Sequence, residues 1–275
     1  MTGRDATAAR QTTAEKRVQV HWEVGGNGPA LVLLNGWSAS GTVWPRRWLR
    51  DLELRFRVIR IDNRGTGWSR SASRPFTMGD LADDVATVLD AIGVESAVIL
   101  GLSMGGMVAQ ELALRHPRCV QRLIVVSSRP PAPEHLNPDP RILRTLMAAP
   151  GEGETLSDFL RRLWSGNCAP RFSEAHPELM AELVAQIVAR PTPRATLYDQ
   201  MRAIGAWGGA RRLRTLTRPT LVVHGDADPL MPVRNGMRIA QLIPAARYVE
   251  LRGIGHLIPL EAGPRLLELV DAHAA

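Results

Sequence analysis

The chain has 275 residues and a formal net charge of +7, with 45% hydrophobic and 22% charged residues. These values are ordinary for a soluble globular protein that is long enough for one α/β domain and an insertion. No apolar run is long enough to span a membrane, and residues 1–17 are polar without the apolar region of a signal peptide. We therefore predict a cytoplasmic protein without membrane association, whose first 17 residues are disordered.

The positive charge comes almost entirely from arginine, since Lys16 is the only lysine. A nucleic-acid-binding surface typically gathers basic residues on one face and places aromatic residues among them. Here the arginines are scattered through every predicted element, so we predict no nucleic-acid partner. An arginine-rich composition explains the charge, and an anionic substrate is the lesser alternative.

The first half of the chain alternates strand patterns with helix patterns. Residues 18–24 alternate apolar and polar side chains, which predicts an antiparallel edge strand. Apolar runs predict buried strands of a mostly parallel central sheet at 30–34, 97–100 and 123–127, and a further strand is predicted at 56–62. Helices that flank the sheet are predicted at 44–51, from an N-cap at Thr77 to a C-cap at Gly93, and at 107–114.

The alternation breaks between residues 129 and 213. Prolines open this segment, and helix patterns with apolar residues on one face follow at 155–164 and 178–189. The alternation then resumes, with strands predicted at 220–224 and 247–251 and helices at 233–242 and 264–272. We therefore predict an α/β core formed by 18–128 and 214–275, with 129–213 inserted as a helical cap, or lid.

The motif around which the chain is organised is Gly-Leu-Ser-Met-Gly at 101–105, between the strand pattern at 97–100 and a helix pattern. A serine on a sharp turn between a strand and a helix is the arrangement of a nucleophile elbow. Gly101 and Gly105 leave room for such a turn because they carry no Cβ. The motif predicts that Ser103 is a nucleophile, which needs a base and an acid from elsewhere in the chain.

Candidates for the acid and the base follow the last two predicted strands. The strand at 220–224 leads into a loop with Asp226 and Asp228, and the strand at 247–251 leads to His256. Since parallel strands end at the same edge of a sheet, we expect both loops to lie near Ser103.

Over essentially its whole length after Arg17, the chain resembles the α/β-hydrolase fold superfamily, in which the triad follows the chain order Ser, Asp, His. The resemblance is carried by the residues at 35–36, 62–69, 101–106, 225–229 and 255–256. Within the superfamily, the residues at 33–35 and the elbow resemble serine carboxylesterases and the 3-oxoadipate enol-lactonase-like group. The resemblance implies that Asp228 is the acid and that Asp226 caps its turn.

The resemblance also implies an oxyanion hole, in which backbone N–H groups stabilise the negative charge that develops on a carbonyl oxygen. These groups belong to Met104, which follows the nucleophile, and to Trp37, in the loop after the first buried strand. Many members of the superfamily carry His-Gly where this chain has Asn35-Gly36. In the predicted cap, the candidates for lining the substrate pocket are Trp164, Met147, Met180, Met201 and Trp207.

We predict a serine hydrolase that cleaves a carboxylic ester or lactone through an acyl-enzyme, with no metal and no cofactor. Ser103 would attack the acyl carbon, His256 would move the proton, and Asp228 would orient the imidazole. Alternatives on the same triad are a carbon–carbon bond hydrolase and a cofactor-free perhydrolase. The non-enzyme alternative is a small-molecule-binding protein on a hydrolase scaffold. The predicted partner is a small-molecule ester or lactone, and a homodimer is left open.

The remaining histidines and the cysteines carry no functional prediction. Cys119 and Cys168 are far apart and lack metal-ligand spacing, which predicts reduced thiols. Surface or structural positions are predicted for His21, His116, His135, His176, His224 and His273.

Overall fold

The computed structural model describes residues 9–12, 20–70, 75–244 and 246–275. Within these residues, eight strands form one sheet: β1 (Ala9–Thr12), β2 (His21–Gly25), β3 (Ala30–Leu34), β4 (Arg57–Ile61), β5 (Ala97–Leu102), β6 (Val120–Val126), β7 (Thr220–Gly225) and β8 (Arg247–Leu251). The α-helices of the described residues are α1 (Arg46–Glu53), α2 (Met78–Ala91), α3 (Met104–Arg115), α4 (Pro140–Leu146), α5 (Leu156–Ser165), α6 (Phe172–Ala175), α7 (Pro177–Ala189), α8 (Arg194–Ala206), α9 (Arg234–Leu242), α10 (Ile258–Glu261) and α11 (Gly263–Ala274).

The sheet is mostly parallel and has the strand order β1-β2-β4-β3-β5-β6-β7-β8. The pairs β1–β2 and β2–β4 are antiparallel, and every other neighbouring pair is parallel. This arrangement, with helices on both faces, confirms the predicted fold class.

Two expectations at the N-terminal side of the sheet are wrong. β2 is not the edge strand, because β1 pairs with its outer side. Ala9–Thr12 therefore forms a strand inside the segment that was predicted to be disordered. The polar composition of this segment hid the pairing, since a strand at the edge of a sheet needs no apolar side chains to complete its backbone hydrogen bonds. The rest of the segment, 1–8 and 13–17, lies outside the described residues.

The central strands are buried on both faces, as their continuous apolar sequences predicted. Along β3, Leu31 and Leu33 belong to one core cluster while Val32 and Leu34 belong to the other, because successive strand residues point to opposite faces. The first cluster includes side chains of α1 and α11, and the second includes side chains of α2, α3 and α9. Helices therefore cover both faces of the sheet.

The predicted helix between Thr77 and Gly93 is confirmed as α2, and its start shows why the sequence located it well. The Thr77 hydroxyl accepts the Asp80 backbone N–H at 3.1 Å, and the Asp80 carboxylate accepts the Thr77 backbone N–H at 2.9 Å. This reciprocal capping box satisfies N–H groups that have no partner inside the helix.

The segment between β6 and β7 contains the five helices α4 to α8 and none of the sheet strands. It is attached to α3, where the Trp207 indole N–H donates to the Glu111 carboxylate at 3.1 Å and Arg212 forms an ion pair with the same carboxylate. The interpretation of 129–213 as a separate cap over the site stays a prediction. None of the helices formed by the described residues is long and apolar enough to cross a membrane.

Candidate active site

Ser103 lies on a strained turn between β5 and α3. Its backbone has φ 57° and ψ −119°, a left-handed conformation that is costly for a residue other than glycine. The neighbouring glycines permit the turn: a Cβ on Gly101 would lie 2.2 Å from the Gly105 carbonyl oxygen, and one on Gly105 would lie 2.1 Å from that of Leu34. The backbone is held by the Ser103 N–H, which donates to Val126 at 2.9 Å. The side chain is buried, with 5% exposure.

Asp228 and His256 meet at the same edge of the sheet. The Asp228 Oδ2 atom lies 2.8 Å from His256 Nδ1, which leaves Nε2 as the free nitrogen of that ring. The other carboxylate oxygen, Oδ1, accepts the backbone N–H groups of Leu230 at 2.9 Å and Met231 at 2.8 Å. Asp226 is exposed and instead accepts the Gly253 N–H at 2.6 Å, so it ties the two loops together.

The environment of Asp228 keeps its carboxylate ionised. Burial opposes ionisation, but the charges of His256 and His224 and the hydrogen bonds with both rings outweigh it and lower the pKa of Asp228 to about 2. A carboxylate at this position is therefore available to accept a hydrogen bond from His256 throughout the neutral range.

His224 contacts Asp228, and the sequence did not predict this contact. It was predicted to be surface or structural, and its side chain is fully buried at the end of β7. Its Nε2 atom lies 3.0 Å from the Met231 carbonyl oxygen and 3.3 Å from Asp228 Oδ2. Its position four residues before Asp228 was the available signal, but sequence spacing outside a helix does not fix which side chains touch.

Glu261 organises the loop that carries His256. Its carboxylate accepts the backbone N–H groups of Gly255 at 2.8 Å and Leu257 at 3.0 Å, on both sides of the histidine. The same carboxylate accepts the Ala169 N–H at 2.8 Å, so it also joins this loop to the inserted helices. Burial, only partly opposed by these hydrogen bonds, raises the pKa of Glu261. Sequence reasoning assigned Glu261 no role.

The loop after β3 packs directly against the elbow. A Cβ on Gly36 would lie 3.1 Å from Ser103 Cβ, so the loop and the serine are in close contact. The Asn35 side chain donates to the Ser40 carbonyl at 2.7 Å, which braces the loop from within. This contact supports the loop from the side chain of Asn35.

The inserted helices hold the same loop from the other side. The Trp37 indole N–H donates to the Leu197 carbonyl at 3.1 Å, and the Ser38 backbone N–H donates to Gln200 Oε1 at 2.9 Å. The Thr192 hydroxyl donates to the Ser38 carbonyl at 2.8 Å. These contacts fix the backbone at Trp37, where one N–H of the predicted oxyanion hole resides. The second predicted donor, Met104, is the first residue of α3, where a backbone N–H has no acceptor inside the helix.

Ser103 lies between two cavities. The first cavity, of about 70 Å³, contains Ser103 and His256 together with apolar side chains that include Trp164, Leu183 and Ile187. The second cavity, of about 270 Å³, contains Ser103 and a different set of residues, among them Met107, Arg129, His135, Asn137 and Met201. The residues that line both cavities are Trp37, Ser103, Leu146 and Leu230.

The five predicted pocket residues divide between these cavities and the packing around them. Trp164 lines the first cavity and Met201 lines the second. Met147, Met180 and Trp207 are not among the lining residues of either one. Met180 is buried against Cys168, and Trp207 is held by Glu111. Helical periodicity identifies which residues are buried but cannot tell a packing contact from a cavity wall.

Among the described residues, no group of three or more His, Cys, Asp or Glu side chains is arranged to hold a metal ion.

Arg129, which lines the second cavity, was not predicted to be a site residue. It comes three residues after the end of β6, and this place at the carboxyl edge of the sheet was the only signal available.

The α/β-hydrolase fold family matches this chain over residues 29–263. The chain belongs to that family. A relative from Nitrosomonas europaea, a pimeloyl-[acyl-carrier protein] methyl ester esterase, is 30% identical over 260 residues that cover 92% of this chain and 98% of the relative. A protein of Azorhizobium caulinodans, provisionally named carbamate hydrolase RutD, is 29% identical over 232 residues, which cover 84% of this chain and 86% of that protein.

A solved structure has a similar fold to this chain, at about the same sequence identity as the two relatives. The structure of Est816, described as an N-acyl homoserine lactone degrading enzyme, superposes with a TM-score of 0.79 at 28% identity and covers 95% of this chain and 99% of its own. The family and the fold are thus shared over nearly the full length of these proteins.

Proposed function

We propose that this protein is a serine hydrolase that cleaves a carboxylic ester or lactone through an acyl-enzyme intermediate. The observation that carries the proposal is the arrangement of the three side chains at one edge of the sheet. Asp228 is hydrogen-bonded to Nδ1 of His256, and His256 shares a cavity with Ser103 on its strained turn. The names of the relatives, which include an ester hydrolase and a lactone-degrading enzyme, favour the same bond type.

In the first half of the proposed reaction, the Ser103 oxygen bonds to the acyl carbon and its proton passes to His256 Nε2. The negative charge moves to the carbonyl oxygen, where the backbone N–H groups of Trp37 and Met104 would stabilise it. The bond to the leaving oxygen then breaks, and that oxygen takes the proton from His256. Asp228 keeps the imidazole in one tautomer and stabilises its charged form.

In the second half, a water molecule repeats the sequence. His256 accepts a proton from the water as its oxygen bonds to the acyl carbon, and the proton returns to Ser103 when the carboxylic acid departs. In a lactone the leaving oxygen stays attached to the acyl chain, so the product is a single hydroxy acid. The chemistry asks nothing of the protein beyond these side chains and two N–H groups.

The proposal is tested by hydrolysis of 4-nitrophenyl acetate, butyrate and hexanoate, a set of γ- and δ-lactones, and a 4-nitrophenyl carbamate. We expect Ser103→Ala to abolish turnover. Ser127→Ala is the matched control, because Ser127 is also buried with a positive φ and follows the neighbouring strand β6. We expect this control to stay within a few-fold of the wild type.

If no substrate is hydrolysed, a fluorophosphonate probe shows whether the panel lacks the right substrate or Ser103 is not an activated nucleophile. Labelling of Ser103 in the folded protein without turnover would point to a narrow substrate range or to another bond type on the same triad. Absence of both turnover and labelling in the folded wild type would overturn the proposal in favour of a binding protein.

A further inference from the structure

The second cavity holds a buried cation that the proposed reaction does not use. Arg129 is only 5% exposed. Its Nη2 atom donates to the Ile204 carbonyl at 2.6 Å, whereas its Nη1 atom is buried without a hydrogen-bond partner. Among the described residues, no acidic side chain forms an ion pair with it, and burial is the sole cause that shifts its pKa. A buried guanidinium normally has a paired anion, since an unpaired buried charge is costly.

The pKa of Arg129 reflects the cost of burying its charge when no anion is bound. Burial alone lowers the pKa of Arg129 to about 10, and no nearby acid opposes the shift. The guanidinium still carries its charge at neutral pH. An anion that entered the cavity would therefore find a charged donor that has already lost much of its hydration, which strengthens the electrostatic interaction.

The other polar residues that line this cavity near Arg129 are compatible with an anion. His135 and Asn137 line it beside Arg129, with His135 Nε2 at 3.1 Å from the Asn137 side-chain oxygen. The second ring nitrogen of His135, Nδ1, is buried without a partner. No Asp or Glu is among the lining residues of this cavity. The fixed fork of a guanidinium matches the planar oxygens of a carboxylate, which makes a carboxylate the favoured anion.

The rest of the wall is apolar, which suits a hydrocarbon chain between the reacting carbonyl and the anion. The apolar lining residues include Met107, Leu143, Leu146, Met201, Leu230 and Met231. Ser103 lines the same cavity, so one molecule can reach both Ser103 and Arg129 without leaving it.

The position of His256 indicates which cavity holds the acyl chain and which holds the leaving group. His256 must reach the leaving oxygen to return its proton, and it lines the first cavity but is not among the lining residues of the second. The leaving group therefore fits the first cavity, and the acyl chain fits the second.

We infer that Arg129 binds a carboxylate at the far end of the acyl chain, so that the substrate class is an ester of a dicarboxylic acid. This inference rests on the proposed function for the position of the ester, but the binding of the carboxylate is testable without any turnover. Arg129 is in this view a specificity-determining residue. The competing interpretation is that it only anchors α8 through the carbonyl of Ile204.

The catalytic test compares two esters of equal chain length, mono-4-nitrophenyl adipate and 4-nitrophenyl hexanoate, with spontaneous hydrolysis subtracted. We expect wild-type kcat/KM to be at least about 10-fold higher for the adipate, and the ratio between the two esters to fall by roughly 10- to 100-fold in Arg129→Gln, as for a lost hydrogen bond to a charged group. Arg129→Lys, which keeps the charge but loses the fork, should retain part of the preference.

The matched control is Arg144→Gln. Arg144 is exposed on α4, the helix that contributes Leu143 and Leu146 to the cavity, and its substitution removes the same charge. We expect the adipate-to-hexanoate ratio to change by less than about 3-fold, because exposed charges are screened by salt. Wild-type protein that hydrolyses both esters equally, or prefers the hexanoate, would overturn the inference without any variant.

The binding test measures the affinity for the carboxylate without any catalytic step. Monomethyl adipate is titrated calorimetrically into Ser103→Ala and into Ser103→Ala/Arg129→Gln, each checked for folding by circular dichroism. Binding to the first protein that weakens at least about 10-fold in the second supports the carboxylate site, even if no ester is ever turned over. Equal binding to both proteins, or no binding to Ser103→Ala at millimolar ligand, would leave Arg129 as an anchor of α8 and refute the site.

Discussion

His224 and His256 share one oxygen of Asp228: His224 Nε2 lies 3.3 Å from Oδ2, and His256 Nδ1 lies 2.8 Å from the same atom. The Met231 carbonyl oxygen, 3.0 Å from His224 Nε2, can only accept a hydrogen bond, so this nitrogen carries a proton. His224 therefore presents this N–H to both the Met231 carbonyl oxygen and the Asp228 carboxylate. We predict that His224 is a positioning residue that limits the orientations open to Asp228.

Replacing His224 is expected to lower turnover without changing the pocket. We predict that His224→Gln lowers kcat by about 10- to 100-fold while KM changes little, because a small misplacement of a reacting group can slow the reaction by about 100-fold. The control is His21→Gln, since His21 is also buried and bonded to a carboxylate, that of Asp62 at 2.9 Å. His21→Gln should lower the melting temperature and leave kcat within a few-fold. Unchanged kcat in folded His224→Gln would contradict the assigned role.

Removing the charge of Asp228 is expected to lower kcat more than replacing His224 does. In Asp228→Asn the side chain keeps its size, but it can no longer stabilise the charged imidazole or enforce its tautomer, and we predict a fall in kcat of about 10⁴-fold. Single-turnover assays with 4-nitrophenyl butyrate would measure it. A variant that keeps more than a tenth of wild-type kcat would show that another group is the acid.

The same carboxylate links stability to pH. Because its pKa is lowered from 3.8 to about 2, the group stabilises the folded state fully above pH 4, and this contribution is lost as the pH falls through 2. The shift corresponds to about 2 kcal/mol. Urea unfolding at pH 6, 4 and 3 should show the difference in unfolding free energy between wild type and Asp228→Asn narrowing at the lowest pH. A difference that is constant over this range would contradict the lowered pKa.

Gln200 connects the inserted helices to the predicted oxyanion hole. It is fully buried, and its Oε1 accepts the Ser38 N–H across 162 positions of the chain. We predict that Gln200→Leu lowers kcat by about 10-fold or more with little change in KM, because the donors of an oxyanion hole act mainly in the transition state. Gln186→Leu on α7 is the control and should leave kcat unchanged. If Gln200→Leu raised only KM, the residue would serve substrate binding instead.

Two glycines should respond to alanine in opposite directions. A Cβ on Gly105 would lie 2.1 Å from a backbone oxygen, so Gly105→Ala is expected to destabilise the protein severely or to prevent folding. Gly205 lies in α8 with nothing within 4 Å of its Cβ position. Gly205→Ala should raise the unfolding free energy by about 0.5–1 kcal/mol through helix propensity. Thermal unfolding of both variants measures the contrast.

Much of the fold was predictable because local patterns carry it. Buried parallel strands need continuous apolar runs, and the runs at 30–34, 97–100 and 220–224 all lie in central strands of the sheet. The Thr77 cap located α2 through chemistry within three residues. The polar strand β1 escaped detection because edge pairing uses backbone hydrogen bonds, which leave no pattern in the side chains.

By itself, the sequence determined the fold class and the three candidate catalytic residues, because Ser103, Asp228 and His256 each follow a recognisable strand and parallel strands end at one edge. Tertiary structure alone decided what surrounds them. The contacts of His224, Gln200 and Arg129 join residues that are brought together by packing, and some of them lie more than 70 positions apart in the chain. Such contacts depend on the relative placement of whole elements, which no local periodicity encodes.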